Sequence, residues 1–351
     1  MTWSKNPHSQ HINCLVKGPN SLFISCSEDT KIGISNSQLI DYHDTSLRAL
    51  YYDEINKTLV SGGGKESLAF HRYCSESDVF HFIPDKREGF VILETLKRRG
   101  LRMIISIQYI TSKRIKNHTK GKKRPFQLEA DSRIMSITRL RHGAGDSYYT
   151  AQLYLVLTSD GTCKLVSSDY DILTQCEVTK IHCPTKIVFE GRDEHGAYIA
   201  IIDTGGYLNI FKFVTEDDNG TETECKLEMV TSLRVEYGGL NAILWSDPYF
   251  YLGGDSGITH KVKWDVYKKQ LTSVSSSPIS TCGIVQILDG GEDCIFTLAI
   301  DQRILKISKD DDLRFIEGRV THVADPSDFV LDETTKSFIV VGDGIETFPK
   351  F

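Results

Sequence analysis

The chain has 351 residues, 40% of them hydrophobic, and a formal net charge of −6, which is ordinary for a globular protein and gives no general signal for nucleic-acid binding. No apolar stretch approaches the ~20 residues needed to cross a bilayer, and no secretory signal follows Met1. We therefore expect a cytoplasmic protein without a membrane partner.

A repeated unit begins near the N-terminus and continues to the C-terminus. Each copy contains two apolar strands joined by a tight polar turn, and a further short apolar strand precedes most copies. In chain order the seven copies are FISCSEDTKIGI (23–34), LVSGGGKESLAFHRY (59–73), LYLVLTSDGTCKLV (153–166), YIAIIDTGGYLNIFKF (198–213), YLGGDSGITHKVKWD (251–265), FTLAIDQRILKIS (296–308) and FIVVGDGIETFPKF (338–351).

The spacing of these copies predicts the fold. Except between the second and third copies, the turns recur at intervals near the ~40–45 residues of a four-stranded blade. This pattern predicts an all-β chain, a single seven-bladed β-propeller over residues 1–351. The propeller is of a degenerate WD40 type, because Trp264-Asp265 is the one WD dipeptide. A β-sandwich or two stacked barrels are the alternatives, and the even spacing weighs against both.

The propeller has to close, and the last copy ends in a third strand at Phe351. We therefore expect residues 1–10 to supply the outer strand of the last blade, because a missing outer strand would leave an exposed edge.

The long interval predicts a basic insertion between the second and third repeats, residues 77–131. Between residues 86 and 124 it carries thirteen lysines and arginines against two acids, a local charge of +11. Its first part predicts a short helix that is broken at Gly100 and followed by a strand. Its second part, residues 113–124, predicts a flexible basic loop.

The basic loop is the candidate nucleic-acid site. Its cations can neutralise phosphates and so make binding salt-dependent. The candidate RNA-binding residues are Lys113, Arg114, Lys116, Lys120, Lys122, Lys123 and Arg124. A solvated loop without a ligand is the alternative.

The sequence contains no motif that indicates catalysis or a metal. Gly62-Gly63-Gly64-Lys65 lacks the spacing and the Ser or Thr of a phosphate-binding loop, and no HExxH or GxSxG occurs. The nine cysteines form no CxxC pair, which favours free thiols over zinc ligands. We predict a protein that is not an enzyme and needs neither a metal nor a cofactor.

Aspartates stand at nearly equivalent turn positions of five repeats. A ring of carboxylates for a cation is one interpretation, but aspartate also bonds its own backbone in such turns, and we favour that explanation. These residues are Asp160, Asp203, Asp255, Asp301 and Asp343.

Three segments carry a resemblance to a known family: SEDTKIGI (27–34), LVSGGGKESLAFHRY (59–73) and DSRIMSI (131–137). They resemble the C-terminal propeller of the WD-repeat accessory subunits of the eukaryotic tRNA ribose methyltransferase that acts at the anticodon wobble position. The resemblance implies a non-catalytic subunit. Its partners would be a Rossmann-fold, S-adenosylmethionine-dependent 2′-O-methyltransferase catalytic subunit and tRNA, which it would help to position for wobble-nucleotide methylation.

Family members contain more than one propeller, so the resemblance implies that this chain is a C-terminal fragment, a truncated product or a short form. A general WD40-type protein-interaction scaffold without an RNA role is the alternative function. An enzyme with its site in the central channel is a third possibility, and the residues give no acid, base or nucleophile set for it.

Overall fold

Each predicted repeat folds into its own antiparallel sheet, and seven such sheets form the ring of a β-propeller. The structure is a computed structural model, and it describes residues 6–83, 89–98, 101–111, 126–128, 132–140, 152–193, 196–218 and 222–351. The sequence-based prediction of a seven-bladed, all-β propeller is confirmed. Two three-residue 3-10 turns, Pro19–Ser21 and Gly64–Glu66, are the helical elements of the described residues, and none of these residues forms a helix that could span a membrane.

The first three strands of each blade follow one another in chain order, from the innermost strand outwards. The strands of blades 1 to 3, with a separate hairpin β9–β10, are β1 Ile12–Lys17, β2 Phe23–Ser27, β3 Ile32–Ile34, β4 Leu39–Ile40, β5 Leu47–Asp53, β6 Thr58–Gly63, β7 Ser67–Cys74, β8 Val79–Ile83, β9 Gly89–Arg98, β10 Leu101–Thr111, β11 Phe126–Gln127, β12 Ile134–Arg139, β13 Leu153–Thr158, β14 Thr162–Ser167 and β15 Ile172–Glu177.

Blades 4 to 6 have four strands each, and blade 7 has three in the described part of the chain. Their strands are β16 Pro184–Asp193, β17 Gly196–Asp203, β18 Tyr207–Asp218, β19 Glu222–Arg234, β20 Leu240–Ser246, β21 Tyr249–Gly254, β22 Thr259–Asp265, β23 Gln270–Ser277, β24 Ile284–Asp289, β25 Cys294–Ala299, β26 Arg303–Ser308, β27 Phe315–Val320, β28 Asp328–Asp332, β29 Ser337–Val341 and β30 Ile345–Pro349.

The hydrophobic core lies between the blades. The described residues form seven apolar clusters, and each combines residues of two adjacent blades, including blades 7 and 1. The last of these clusters packs Ile12, Leu15 and Phe23 of blade 1 against Ile339 and Val341 of blade 7. Burying both faces of every sheet in this way is what makes the closed ring stable.

A bulge recurs at the same place in six blades. Directly after the first residue of the inner strand, the register against the second strand shifts by one residue. Such a bulge re-aims the extra side chain. In blade 1 that residue is Asn13, which donates to the Leu47 carbonyl of blade 2 at 2.7 Å, and in blade 4 it is Thr185, which donates to the Leu240 carbonyl of blade 5 at 2.6 Å.

Hydrogen bonds join blade 1 to blade 7 and complete the ring. The Ile12 N–H donates to the Gly342 carbonyl at 2.9 Å, and the Ser327 hydroxyl donates to the Ile12 carbonyl. The expectation that residues 1–10 form the outer strand of blade 7 is wrong for residues 6–10, which run as a loop, while residues 1–5 lie outside the described residues.

The outer edge of blade 2 departs from the other blades. β8 pairs with Phe70–Cys74 of β7, and β11 pairs with Leu68 and Ser67 of the same strand. β8 and β11 therefore lie end to end along the outer edge of β7. Between them, β9 and β10 pair as a separate hairpin. The predicted helix before Gly100 is wrong, because Gly89–Arg98 is a strand and its apolar, β-branched residues suit one.

Candidate functional site

One end of the propeller carries the loops that precede the inner strands and the turns between the second and third strands. This follows from the topology, because each blade is a meander and successive blades are joined from the outer strand to the next inner strand. We call this end the loop face. The opposite end, which carries the other two turns of each blade, is the turn face.

On blade 4, an aspartate fixes the turn between β17 and β18. The Asp203 carboxylate accepts hydrogen bonds from the backbone N–H groups of Gly205 at 2.9 Å and Tyr207 at 3.2 Å. Gly206 has a φ of +80°, which side chains disfavour, and its carbonyl accepts the Val235 N–H at 2.8 Å. The loop before β20 is therefore held against this turn.

The loop before β16 is held against the same turn. The Thr204 N–H donates to the Cys183 carbonyl at 2.9 Å, and the Cys183 N–H donates to the Thr204 hydroxyl at 3.0 Å. Glycine at position 205 allows His182 to pack there, because a Cβ would lie 2.3 Å from the imidazole Cδ2. Two loops that are distant in sequence thus meet at one turn.

Four planar side chains stack across this turn, and we call His182, Tyr207, Arg234 and Tyr237 the stacked row. The ring centroids of His182 and Tyr207 lie 5.9 Å apart with an interplanar angle of 27°. Arg234 is the register partner of Tyr207, and its Cζ lies 5.6 Å from the Tyr207 centroid and 4.4 Å from that of Tyr237. Cation–π attraction holds the guanidinium against both tyrosines.

The stacked row is open to solvent and carries positive charge. Tyr237 is 90% exposed, and Ile181, which precedes His182, is 87% exposed. Lys180 and Arg234 are also exposed, and within the described ranges neither forms an ion pair with a carboxylate. Exposed tyrosine and arginine beside an exposed aliphatic residue are typical of protein-binding hot spots.

A second polar cluster lies on the loop face where blades 7 and 1 meet. His11 Nδ1 lies 2.8 Å from an Asp343 oxygen and 3.9 Å from an Asp325 oxygen, and the three ligand atoms lie within 4.8 Å of one another. The Asp343 N–H donates to the Ala324 carbonyl at 2.9 Å, which holds the two acidic loops together. The bond between His11 and Asp343 accounts for this arrangement as part of the ring closure.

Side chains from three blades and a backbone N–H from a fourth form a network in the central channel. Lys186 of blade 4 donates to Gln286 Oε1 of blade 6 at 2.9 Å, and Gln286 Nε2 donates to Asp328 of blade 7 at 2.9 Å. The other Asp328 oxygen accepts the Leu15 N–H of blade 1 at 2.9 Å. Burial lowers the pKa of Lys186 and raises the pKa of Asp328, whereas the attraction between their charges opposes both shifts.

Blade 1 brings a serine, a histidine and an aspartate together, which the sequence analysis missed. His8 Nε2 lies 2.8 Å from Ser25 Oγ, and His8 Nδ1 lies 3.2 Å from the Asp29 carboxylate. In a hydrolase this order activates the serine. Here Ser25 is fully buried, and burial lowers the pKa of His8 although Asp29 raises it. These side chains tie the N-terminal segment to the second strand of blade 1.

Blade 2 contains a related buried chain of contacts. His43 Nε2 lies 2.8 Å from Ser61 Oγ, which in turn lies 3.2 Å from His71 Nε2. Burial lowers the pKa of each histidine to about 3, and for His43 the charge on His71 adds to the effect. His71 is therefore a packed, neutral core residue at pH 7.

Two of the five turn aspartates bond the backbone of their own turns, whereas Asp301 lies 3.5 Å from Arg303 Nε and Asp343 lies 2.8 Å from His11 Nδ1. Asp160 accepts the Thr162 N–H at 3.2 Å and the Thr158 hydroxyl at 2.7 Å, and Asp203 acts in the same way on blade 4. Asp255 instead accepts the Gly239 N–H of the preceding loop at 3.0 Å. Turn chemistry is thus confirmed for the first two, and a contact between loop and turn explains the third.

The residues predicted to bind RNA, from Lys113 to Arg124, lie outside the described residues, so their role stays a prediction. No member of the stacked row was among the residues predicted from the sequence. A signal was present, because Tyr207 directly follows the DTGG turn and RVEYGG precedes the next inner strand. Aromatic and basic residues that border loops on the same face were the clue.

Comparisons with known proteins identify the fold. No protein-family model matches the chain, and no curated protein matches it in sequence. The chain is similar to the crystal structure of the WD40 β-propeller domain of Doa1, with a TM-score of 0.64 and 9% sequence identity. That match covers 99% of this chain and 95% of the other. The fold is a WD40 β-propeller, and a similarity at this identity shows the fold alone.

Proposed function

We propose that the chain is a non-catalytic interaction subunit that binds a protein partner through its loop face. WD40 propellers are generally non-catalytic scaffolds, and the fold is compatible with that role. The observation that carries the proposal is the exposure of Tyr237 and Ile181 beside Arg234, which has no carboxylate partner among the described residues. Large apolar and aromatic surface on the loops of a rigid scaffold is typical of a binding site.

The central channel supports a binding role over a catalytic one. Lys186, Gln286 and Asp328 are hydrogen-bonded to one another or to backbone across the channel. The Ser25 hydroxyl, which has the partners of a nucleophile, is fully buried and out of reach of a substrate. Neither group is poised for turnover.

The partner that we propose is the catalytic subunit of a tRNA 2′-O-methyltransferase, with tRNA bound by the basic segment 113–124. The support is the resemblance of residues 27–34, 59–73 and 131–137 to the accessory subunits of that enzyme, together with the seven cations of the segment. In this role the chain would help to position the wobble nucleotide. A scaffold for other proteins, without RNA, is the second candidate, and the exposed stacked row favours it equally.

Size-exclusion co-elution with the methyltransferase subunit tests the proposal. We expect a stoichiometric complex that is abolished by the double variant Tyr237→Ala with Ile181→Ser. The matched control is Tyr267→Ala with Ile55→Ser, which removes an exposed tyrosine and an exposed isoleucine from the turn face and should leave the complex intact. If the folded chain forms no complex with the methyltransferase subunit, this partner is wrong. If both double variants still form the complex, the binding site is not on the loop face.

The RNA arm uses the same proteins with tRNA. Neutralising the seven basic residues of segment 113–124 to glutamine should weaken tRNA binding and flatten its salt dependence. The log–log slope should change by about 0.7–0.9 for each phosphate that the segment no longer neutralises. Neutralising the exposed Lys263, Lys268 and Lys269 of blade 5 is the control. If neutralising the segment changes neither the affinity for tRNA nor the slope, the RNA role is wrong and the protein scaffold remains as the candidate function.

A further inference from the structure

The chemistry of the stacked row indicates what kind of partner it takes. The guanidinium of Arg234 lies over the rings of Tyr207 and Tyr237, at 5.6 and 4.4 Å. A cation–π contact does not require the N–H groups of a guanidinium to bond an acceptor, so these groups stay able to donate. In the described part of the chain these N–H groups have no carboxylate partner, so the exposed Arg234 can donate to a ligand from solvent.

The neighbouring acids do not neutralise this charge. Asp203 accepts the N–H groups of Gly205 and Tyr207 and the Asn209 amide. Glu236, although it lies between Arg234 and Tyr237 in sequence, turns towards blade 5, where it accepts from Ser256 and lies 3.1 Å from His260 Nε2. Two exposed cations, Lys180 and Arg234, therefore remain beside an exposed isoleucine and tyrosine.

We propose that the stacked row binds an acidic segment of a partner protein, with a carboxylate on Arg234 and an aliphatic side chain between Ile181 and Tyr237. This inference rests on the proposed function, because it names the partner chemistry of the same loop face. A carboxylate matches the paired donors at the edge of a guanidinium, and the tyrosine contacts fix its orientation in advance.

A protein segment fits better than a nucleic-acid backbone. The stacked row and the adjoining Lys180 and Ile181 offer two cations and one exposed aliphatic side chain, whereas a phosphate backbone needs a longer track of positive charge. The same face also carries exposed acids that would repel a polyanion, among them Asp255 and the Asp325 and Asp343 side chains. The charge pattern thus favours a short acidic segment with an apolar anchor.

The inference is tested by selecting random displayed peptides on the full chain, with an excess of the Arg234→Gln variant as a soluble competitor. The selected peptides should be rich in Asp and Glu and contain an aliphatic residue. As synthetic peptides they should bind Arg234→Gln at least about tenfold more weakly than the wild type, the effect of one charge-assisted hydrogen-bonded pair. The control Arg72→Gln removes an exposed arginine from blade 2 and should change nothing.

The other outcomes overturn the inference in distinguishable ways. If the selected peptides require Tyr237 but are neutral or basic, the partner segment is not acidic, and the proposed binding function of the loop face is retained. A selection that yields no peptide sensitive to Arg234 or Tyr237 refutes both. Oligouridine that binds more tightly than the peptides and depends on Arg234 assigns the row to nucleic acid instead. Equal thermal midpoints of the wild type and both arginine variants show that folding is not the cause.

Discussion

Two buried histidines of blade 2 make the free energy of unfolding depend on pH. His43 and His71 are buried next to Ser61, and burial lowers the pKa of each to about 3. In the unfolded chain the same groups titrate near the usual value of about 6.5. The unfolded state therefore binds more protons than the folded state between these two values, and stability rises with pH there.

The first prediction concerns His71. The stabilisation by its neutral form is fully present above about pH 6.5 and disappears progressively as the pH falls towards 3. His71→Phe keeps an aromatic ring near Tyr42 and Phe82 and removes one titrating group. The slope of unfolding free energy against pH between 6 and 4 should fall by about 1.4 kcal/mol per pH unit, the effect of one proton.

Urea unfolding at several pH values measures this slope. The control is His322→Gln, because His322 has a side chain that is 90% exposed. If His71→Phe and His322→Gln change the slope equally, burial is not the cause.

At the scale of the strands, the sequence predicted the middle of each blade better than its edge. In most blades the second strand is a short, mostly apolar run that a tight turn joins to the third strand, and a strand such as Leu153–Thr158 is buried throughout. Outer strands carry weaker signals: Phe315–Val320 is exposed at every residue, and Gln270–Ser277 is mostly polar. Their position depends on pairing with the neighbouring strand more than on their own pattern.

The stacked row could not be predicted in the same way. Its members come from the loop before β16, the start of β18, the end of β19 and the loop before β20. Backbone bonds from Cys183 and Val235 to a single turn bring them together. These contacts form only after the strands have paired and neighbouring blades have packed, and no periodic pattern in the sequence indicates them.

A prediction at this scale concerns β30, the third strand of blade 7. In the described residues β30 pairs with β29 alone, whereas the third strands of the other blades have partners on both sides. Its outward backbone N–H groups should therefore exchange with deuterium faster than those of β22 in blade 5. Hydrogen-exchange mass spectrometry of the two segments makes the comparison. Equal protection would show that another strand covers this edge.

At the scale of the whole molecule, the ring is a set of similar interfaces with one closure. Each pair of neighbouring blades shares an apolar cluster, and among the described residues the cluster of blades 7 and 1 contains five buried residues, fewer than the other clusters. Polar contacts supplement that closure, among them the bond from the Leu15 N–H to Asp328. The channel network is therefore well placed to stabilise the ring where its apolar contact is smallest.

A double-mutant cycle of Lys186→Met and Asp328→Asn tests whether the channel network stabilises the ring. Lys186→Met leaves the buried Asp328 without its counter-charge and should lower the free energy of unfolding by about 3–5 kcal/mol. Asp328→Asn leaves the partly exposed Lys186 without its counter-charge and should cost less. The double variant has neither charge and should be destabilised by less than the sum of the two, because the groups are coupled through Gln286. Urea unfolding at pH 7 measures all four proteins. Strict additivity would mean that the two side chains act independently, and the ring would then be closed by apolar packing and backbone bonds alone.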